Sequence, residues 1–353
     1  MKTEDFLKIL SDSHGVSGYE YKIKDTIISA FDKYSDEIRT DNLGNIIAIK
    51  KGTLSNNKDR IKIMLAAHMD EIGLIVTDIE DGGFIRFSTI GGIDPRTLLG
   101  QEVIVHGKKN LFGIIGAKPP HLQEEAERNN SVKIEDMSID LGLDRKDIKN
   151  IVQIGDSITI KRELIKLQGN RVTGKALDDR AGVVTLYECI RKLNTINHHP
   201  DIYFVSTVQE EVGCRGAATS AYNINPDIGI AIDVGFGSTP ELPKEDTLEM
   251  GKGPGITLGG NIHPGLREKL VSVAKDYNIP FQLEVDPGPT GTDARAIQIT
   301  RQGIPTLCIS IPLRYMHTSV EVVDLKDIEN TAKLLTFFIS SISNENLEGL
   351  LCY

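Results

Sequence analysis

Five times along this chain an apolar run gives out at a side chain able to bind a metal ion. The segments read Ala66-Ala67-His68-Met69-Asp70, Ala176-Leu177-Asp178-Asp179-Arg180, Gln209-Glu210-Glu211-Val212-Gly213, Ala231-Ile232-Asp233 and Arg314-Tyr315-Met316-His317. Together they supply two imidazoles and several carboxylates. A two-metal hydrolytic site needs that donor set, with one carboxylate left over as base. His68 and His317 lie 317 − 68 = 249 residues apart, so only a fold that returns repeatedly to one place can unite them. An open α/β sheet has such a place, because its ligands bind beyond the carboxyl ends of the strands.

The rest of the pattern agrees with such a sheet. Phe6, Leu7 and Leu10, then Ile23, Ile27, Ile28 and Phe31, recur at helical spacing and predict two helices parted by a turn at 14–18. Apolar runs at 44–49 and 61–67 predict a strand pair, the second run apolar enough for a buried central strand. From 172 onward strands and helices alternate. Strands are expected at 202–208, 228–232, 281–285 and 304–311, with helices from 178, over 264–277, from 293, and a last one over 325–339. That alternation predicts a largely parallel sheet with helices on both faces.

Between these parts the texture changes. Short β-rich pieces at 72–79, 84–88, 102–106, 113–117 and 157–160 are punctuated by Gly and Pro. They predict a small β-barrel inserted into the α/β domain. Residues 123–130 read as an exposed polar loop. The expected organisation is a discontinuous catalytic α/β domain, 1–72 and 168–353, interrupted by a β-barrel domain over 73–167.

Composition narrows the function. With 353 residues, 40% of them hydrophobic, the chain has ample core material. A net charge of −10 and no long basic run remove the attraction that nucleic-acid or anionic-membrane binding needs. No run of about 18 apolar residues exists to span a membrane, and the start lacks a signal-type apolar stretch. Cys189, Cys214, Cys308 and Cys352 show no close pairing, which predicts reduced, buried thiols in a cytoplasmic protein.

Each candidate also has a plainer explanation. A single His68 is as readily a packed histidine, Asp178 a helix N-cap, and Asp233 a strand-end turn former. Asp293, after Gly291-Thr292, reads as an N-cap before it reads as pocket lining. Glu210-Glu211 resists such treatment. Two adjacent acids at the end of a buried strand need a compensating positive charge, either a dication or Arg215.

Longer motifs carry a resemblance. Gly15-Val16-Ser17-Gly18-Tyr19-Glu20, His68-Met69-Asp70-Glu71-Ile72-Gly73, Gly92-Ile93-Asp94, Gly116-Ala117-Lys118-Pro119-Pro120-His121, Lys175-Ala176-Leu177-Asp178-Asp179-Arg180, Gln209-Glu210-Glu211-Val212-Gly213, Gly291-Thr292-Asp293-Ala294 and Arg314-Tyr315-Met316-His317 run nearly end to end. The chain resembles the cytoplasmic metallo-aminopeptidases of the glutamyl aminopeptidase and tetrahedral (TET) aminopeptidase family. The resemblance implies two divalent metal ions per subunit, zinc first, with cobalt or manganese as alternatives. It implies that Asp178 bridges them, with His68 and Asp233 completing one set and Glu211 and His317 the other. Glu210 is then the general base for a metal-activated water, and Asp70 holds His68. A cis peptide after Asp178, dimerisation through the barrel and assembly of dimers into a dodecamer are further implications. The expected substrates are peptides with a free N-terminus. The chain departs from the family at His14, often Pro in relatives, at Thr290, often Gly, and at Thr318-Ser319, often Ser-Pro.

Three alternatives remain at this level. A carboxypeptidase or deacylase of the same clan would use similar ligands and grip a substrate carboxylate through Arg314 or Arg295. Glycoside hydrolysis would set Glu210 and Glu211 about the bond, but with no Trp and 5% aromatics the chain is short of sugar-stacking platforms. A catalytically silent assembly protein would not need Glu210 and five intact ligands. His121 reads as an ordinary loop histidine.

Overall fold

The computed structural model describes residues 1–54, 60–122 and 130–352. The polar segment expected over 123–130 therefore falls, Asn130 apart, outside the described residues. The strands are β1 (Glu37–Thr40), β2 (Ile46–Lys50) and β3 (Lys62–His68), then β4 (Gly73–Ile79), β5 (Phe84–Ile90), β6 (Glu102–His106), β7 (Asn110–Ala117), β8 (Met137–Asp140) and β9 (Ser157–Ile160). They continue with β10 (Ile165–Lys166), β11 (Arg171–Gly174), β12 (Asp201–Thr207), β13 (Ile228–Phe236), β14 (Gly255–Leu258), β15 (Gln282–Val285), β16 (Thr306–Arg314) and β17 (Glu321–Asp324).

A closed barrel and an open sheet result. Strands β4-β5-β8-β7-β6-β9 form a six-stranded barrel, and the remaining eleven form one sheet in the order β1-β2-β12-β3-β13-β16-β17-β11-β10, with β14 and β15 branching from β16. The sheet is α/β in kind and mixed in direction. Its centre, β12-β3-β13-β16, is parallel, while its flanks are antiparallel.

The central strands are apolar on both sides because both sides are covered. Along β3, alternate residues divide between two cores. Ile63, Leu65 and Ala67 join the large core that holds the helix Leu177–Leu193. Met64 and Ala66 join the smaller core with Ala217, Ala221 and Ile224 of the helix Arg215–Ile224. The barrel has a separate core of Leu74, Val76, Phe87, Val103, Val105 and Ile158. Among the described residues no helix is long and apolar enough to cross a membrane.

Several expectations are corrected. The runs at 44–49 and 61–67 form strands but not a pair, since β12 sits between β2 and β3 and bonds to both. β1, four residues with alternating exposure, was too short and too polar to predict, and β8 was missed likewise. The helix Leu325–Ser340 is not the last, because Asn344–Leu351 follows it. The four cysteines are unpaired as expected, but Cys352 is exposed.

Sheet and barrel meet at the turn after the first helix. Tyr19 Oη donates to the carbonyl of Gly155 at 2.6 Å. His14 Nδ1 lies 3.0 Å from Thr159 Oγ1 on β9, and its ring packs 4.3 Å from that of His106 on β6. Burial, then the neighbouring His106, lowers His14 from 6.5 to about 4, and burial lowers His106 as well. A histidine whose pKa is lower when folded takes up its proton more readily unfolded. Its stabilising effect is complete above about 6.5 and is lost as pH falls toward 4. The melting temperature is therefore expected to fall as pH drops through that window. The fall should be shallower in a His14→Gln, His106→Gln double variant, as calorimetric scans would show.

Candidate active site

The five ligand-bearing segments meet at one end of the parallel centre. His68 is the last residue of β3. Asp233 lies on β13, Glu210 and Glu211 follow β12, and His317 follows β16. Reaching the cleft forces unusual backbone. Of the eight described non-glycine residues with positive φ, five lie in or beside these segments: Ala176, Gln209, Cys214, Tyr315 and His317. Strain of this kind persists where surrounding structure over-determines it, commonly at functional sites.

Asp178 is the hinge of the arrangement. Its carboxylate points one oxygen each way: Oδ1 is 3.1 Å from His68 Nε2 and Oδ2 is 3.3 Å from His317 Nε2. The Asp178–Asp179 peptide is cis. The N-cap expectation for Asp178 is corrected, since the helix N-cap is Ala176 and Asp178 has non-helical dihedrals. Asp179 does the local work instead, accepting from Gly182 N at 3.0 Å and from His68 N at 3.2 Å.

Two triplets of ligand atoms form around it. His68, Asp178 and Asp233 make one, Asp178, Glu211 and His317 the other, each with its atoms within 4.8 Å of one another. Glu210 belongs to neither. Its Oε2 stands 4.0 Å from His68 Nε2, and its Oε1 accepts the thiol of Cys214 at 3.0 Å. A third group, Glu210, Cys214 and Asp293, lies alongside.

The electrostatics show what is needed there. Burial, with Asp178 beside it, pushes Glu211 up to about 8, and burial holds Asp233 well above the carboxylate range. Burial also raises Glu210. Asp178 is the exception, because the hydrogen bonds from His317 and His68 outweigh its burial and hold it low. The same bond raises His317 to about 9. Among the described residues no Lys or Arg pairs with any of these acids, and Arg215, the plainer source of compensation, pairs with neither glutamate. Buried carboxylates without cations are costly. Two imidazoles and three carboxylates in two triplets around a shared Asp178 fit a pair of divalent cations.

A second layer fixes these groups. Asp70 lies behind His68, whose Nδ1 is 3.2 Å from the Asp70 carbonyl and 3.6 Å from its carboxylate. Its carboxylate also accepts the backbone N–H groups of Glu210 and Glu211 at 3.1 and 3.2 Å. The barrel contributes as well: the Gly92 carbonyl is 2.7 Å from His317 Nδ1, and a Cβ on Gly92 would come within 3.2 Å of that nitrogen.

Sequence reasoning missed Glu321. One of its oxygens accepts from Leu177 N at 2.7 Å and Asp178 N at 3.2 Å, the other from His317 N at 3.0 Å. Its signal was an acid opening the apolar strand Glu321-Val322-Val323. Glu71 is also buried, between Lys175 Nζ at 2.6 Å and Arg180 Nη2 at 3.1 Å. Asp293 is not an N-cap. Thr292 caps that helix, while Asp293 accepts from Thr207 at 2.6 Å and turns a bare oxygen inward. His121 lies exposed in the short turn Pro120–Leu122. Arg314 donates to the Ser238 carbonyl.

A sheet with an inserted barrel and a twin-triplet acidic cleft defines a class of hydrolases, and comparison with known proteins supplies the family. The sequence profile described as M42 glutamyl aminopeptidase matches residues 44–334, so the chain belongs to that family of peptide hydrolases. It is 39% identical over 335 residues to a lysyl aminopeptidase of Pyrococcus furiosus, covering 94% of each chain. Its structure is similar to a TET aminopeptidase from a marine-sediment thaumarchaeon, with TM-score 0.93, 36% identity, and 99% and 98% of the two chains covered. The TET1 peptidase of Pyrococcus horikoshii, described as assembling into a tetrahedron or a large octahedral shell, superposes with TM-score 0.85 at 34% identity over 97% of this chain and 100% of that one.

Replacing Glu321 by Ala would orphan the buried N–H groups of Leu177 and Asp178, each worth about 1–3 kcal/mol, and the half-buried one of His317. Denaturant unfolding should show a loss of about 2–5 kcal/mol. Glu321→Gln keeps an acceptor oxygen and should lose less.

Proposed function

We propose that this chain is a metal-dependent aminopeptidase that removes N-terminal residues from peptides. The observation that carries the reading is the pair of ligand triplets sharing Asp178, with Glu210 left outside both. Two divalent cations, zinc in this reading with cobalt or manganese as alternatives, would be held by His68, Asp178 and Asp233 and by Asp178, Glu211 and His317, and when bound they supply Lewis-acid polarisation and a more acidic water.

The chain's own residues do the rest. Asp178 orients both imidazoles with one carboxylate. Asp70 presents its carbonyl to His68 Nδ1, which turns Nε2 toward the cleft. Glu210, outside both triplets, takes the proton of the attacking water and returns it to the leaving amine. The Cys214 thiol fixes one of its oxygens and leaves the other facing the cavity.

Replacement of Glu210 by Gln should lower kcat by about 10²–10⁴-fold, with metal content unchanged by atomic absorption. Free-N-terminus p-nitroanilides and peptides should be cleaved and their N-acetylated counterparts spared. Chelation should abolish turnover, and zinc or cobalt should restore it. Cleavage of acetylated substrates at equal rate would instead favour a deacylase reading.

We further propose that residues 73–167 form the dimerisation domain, that dimers assemble into a dodecamer, and that the enzyme works in the cytoplasm. The outward face of β7 supports the first point. Phe112 and Ile114, two residues apart on one face, are each 49% exposed. Phe112→Asp is expected to break the assembly into smaller species by mass photometry.

A further inference from the structure

The cavity over the ligand triplets has a volume of about 450 Å³. One of its walls is acidic. Glu284 on β15 and Asp286 just beyond it line the same space as His68 and His317. The wall reaches the floor through two strand pairings, since β15 pairs with β14 and β14 with β16. Ser310 on β16 is the register partner of Asp233, and its hydroxyl donates to Glu284 Oε2 at 2.5 Å. Thr257 on β14 donates to the same oxygen at 3.4 Å. These bonds hold the carboxylate over β13.

Position 235 shows how closely it is held. A Cβ on Gly235 would come within 2.9 Å of Glu284 Oε1. Gly235 and Asp233 face the same side of β13, and two residues of strand span about 6.7 Å. The Glu284 carboxylate thus stands about one long side chain from Asp233. The four-carbon stem of lysine carries its ammonium about 6 Å from Cα.

The wall has no cation of its own. Among the described residues neither Glu284 nor Asp286 pairs with Lys or Arg. Arg295, the one Lys or Arg among the described residues lining the cavity, donates to Cys214 Sγ at 3.3 Å, beside Glu210 and Asp293. Its charge answers Cys214, Glu210 and Asp293 rather than the two wall carboxylates. Burial, then Asp286, raises Glu284 above the usual carboxylate range, a cost that a bound cation would relieve. The divalent ions of the proposed mechanism would compensate the floor, not this wall.

We propose that Glu284 and Asp286 receive the side chain of the substrate's first residue and make this enzyme selective for lysine or arginine there. An acidic first residue would bring a third carboxylate against two, and the wall rejects it by charge. This inference rests on the aminopeptidase reading above and deepens it.

The test compares kcat/KM for lysyl, arginyl, leucyl and glutamyl p-nitroanilides in the wild type, Glu284→Gln and Asp286→Asn. The wild type should favour lysyl and arginyl over glutamyl substrates by at least about tenfold. Glu284→Gln should lower the lysyl-to-leucyl ratio by about tenfold, mainly through KM, and Asp286→Asn should lower it less. Calorimetric titration with lysinamide gives a readout independent of turnover, and the Gln variant should bind it more weakly. Brisk leucyl or glutamyl hydrolysis without lysyl preference, or an unchanged ratio in both variants, would overturn the selectivity and leave the aminopeptidase standing. If no free-N-terminus substrate is cleaved and lysinamide does not bind, both readings fall. Should Glu284→Gln not fold, the ratio in Asp286→Asn decides.

Discussion

Asp178, Glu210, Glu211 and Asp233 stand side by side at the end of a buried sheet, and among the described residues two histidines are the basic groups that pair with them. Like charges out of water repel and lack solvation, so each must be protonated, hydrogen-bonded or matched by a cation. Much of the surrounding structure answers that demand. Asp70 and Glu321 spend their oxygens on backbone N–H groups that pin the Glu210-Glu211 turn and the Asp178 and His317 turns. Glu71 pairs with both Lys175 and Arg180. The left-handed residues Ala176, Gln209, Tyr315 and His317 are tolerated because this frame leaves them no alternative.

The sheet's central strands were legible because they are buried and apolar along most of their length, a pattern that a doubly covered strand sustains. Their neighbours were not. The insertion of β12 between β2 and β3 is a long-range choice that leaves no local mark on either run. β1 and β8 have four residues each, at least half of them polar or exposed, and periodicity is silent at that length. The helix Asn344–Leu351 fully buries none of its residues, and its apolar stripe is only Leu347, Leu350 and Leu351, too short for periodicity to mark.

In the cleft, residue types and their strand-end positions were readable, while connectivity was not. Asp178 looked like a cap because caps and ligands share chemistry; only the backbone before it shows that Ala176 takes the cap position. Glu321 was hidden because it touches backbone rather than another chemically conspicuous side chain. Asp293 was misjudged because its partner, Thr207, lies 86 positions away. Such pairings are set by sheet order, and sheet order was the part of the fold that local pattern left open.

The contact between the Gly92 carbonyl and His317 joins residues 225 positions apart. Contacts of such sequence separation form late, because a long loop must close before anything rewards it. His317 and Glu321 also follow every strand of the barrel in chain order, the last of which is β9 (Ser157–Ile160). A growing polypeptide can complete β3 and the barrel long before it holds a second imidazole. The second ligand triplet therefore arises only once β16 has been made and its following turn has closed back on the barrel, and a chain cut before that point would fold in part without completing the cleft.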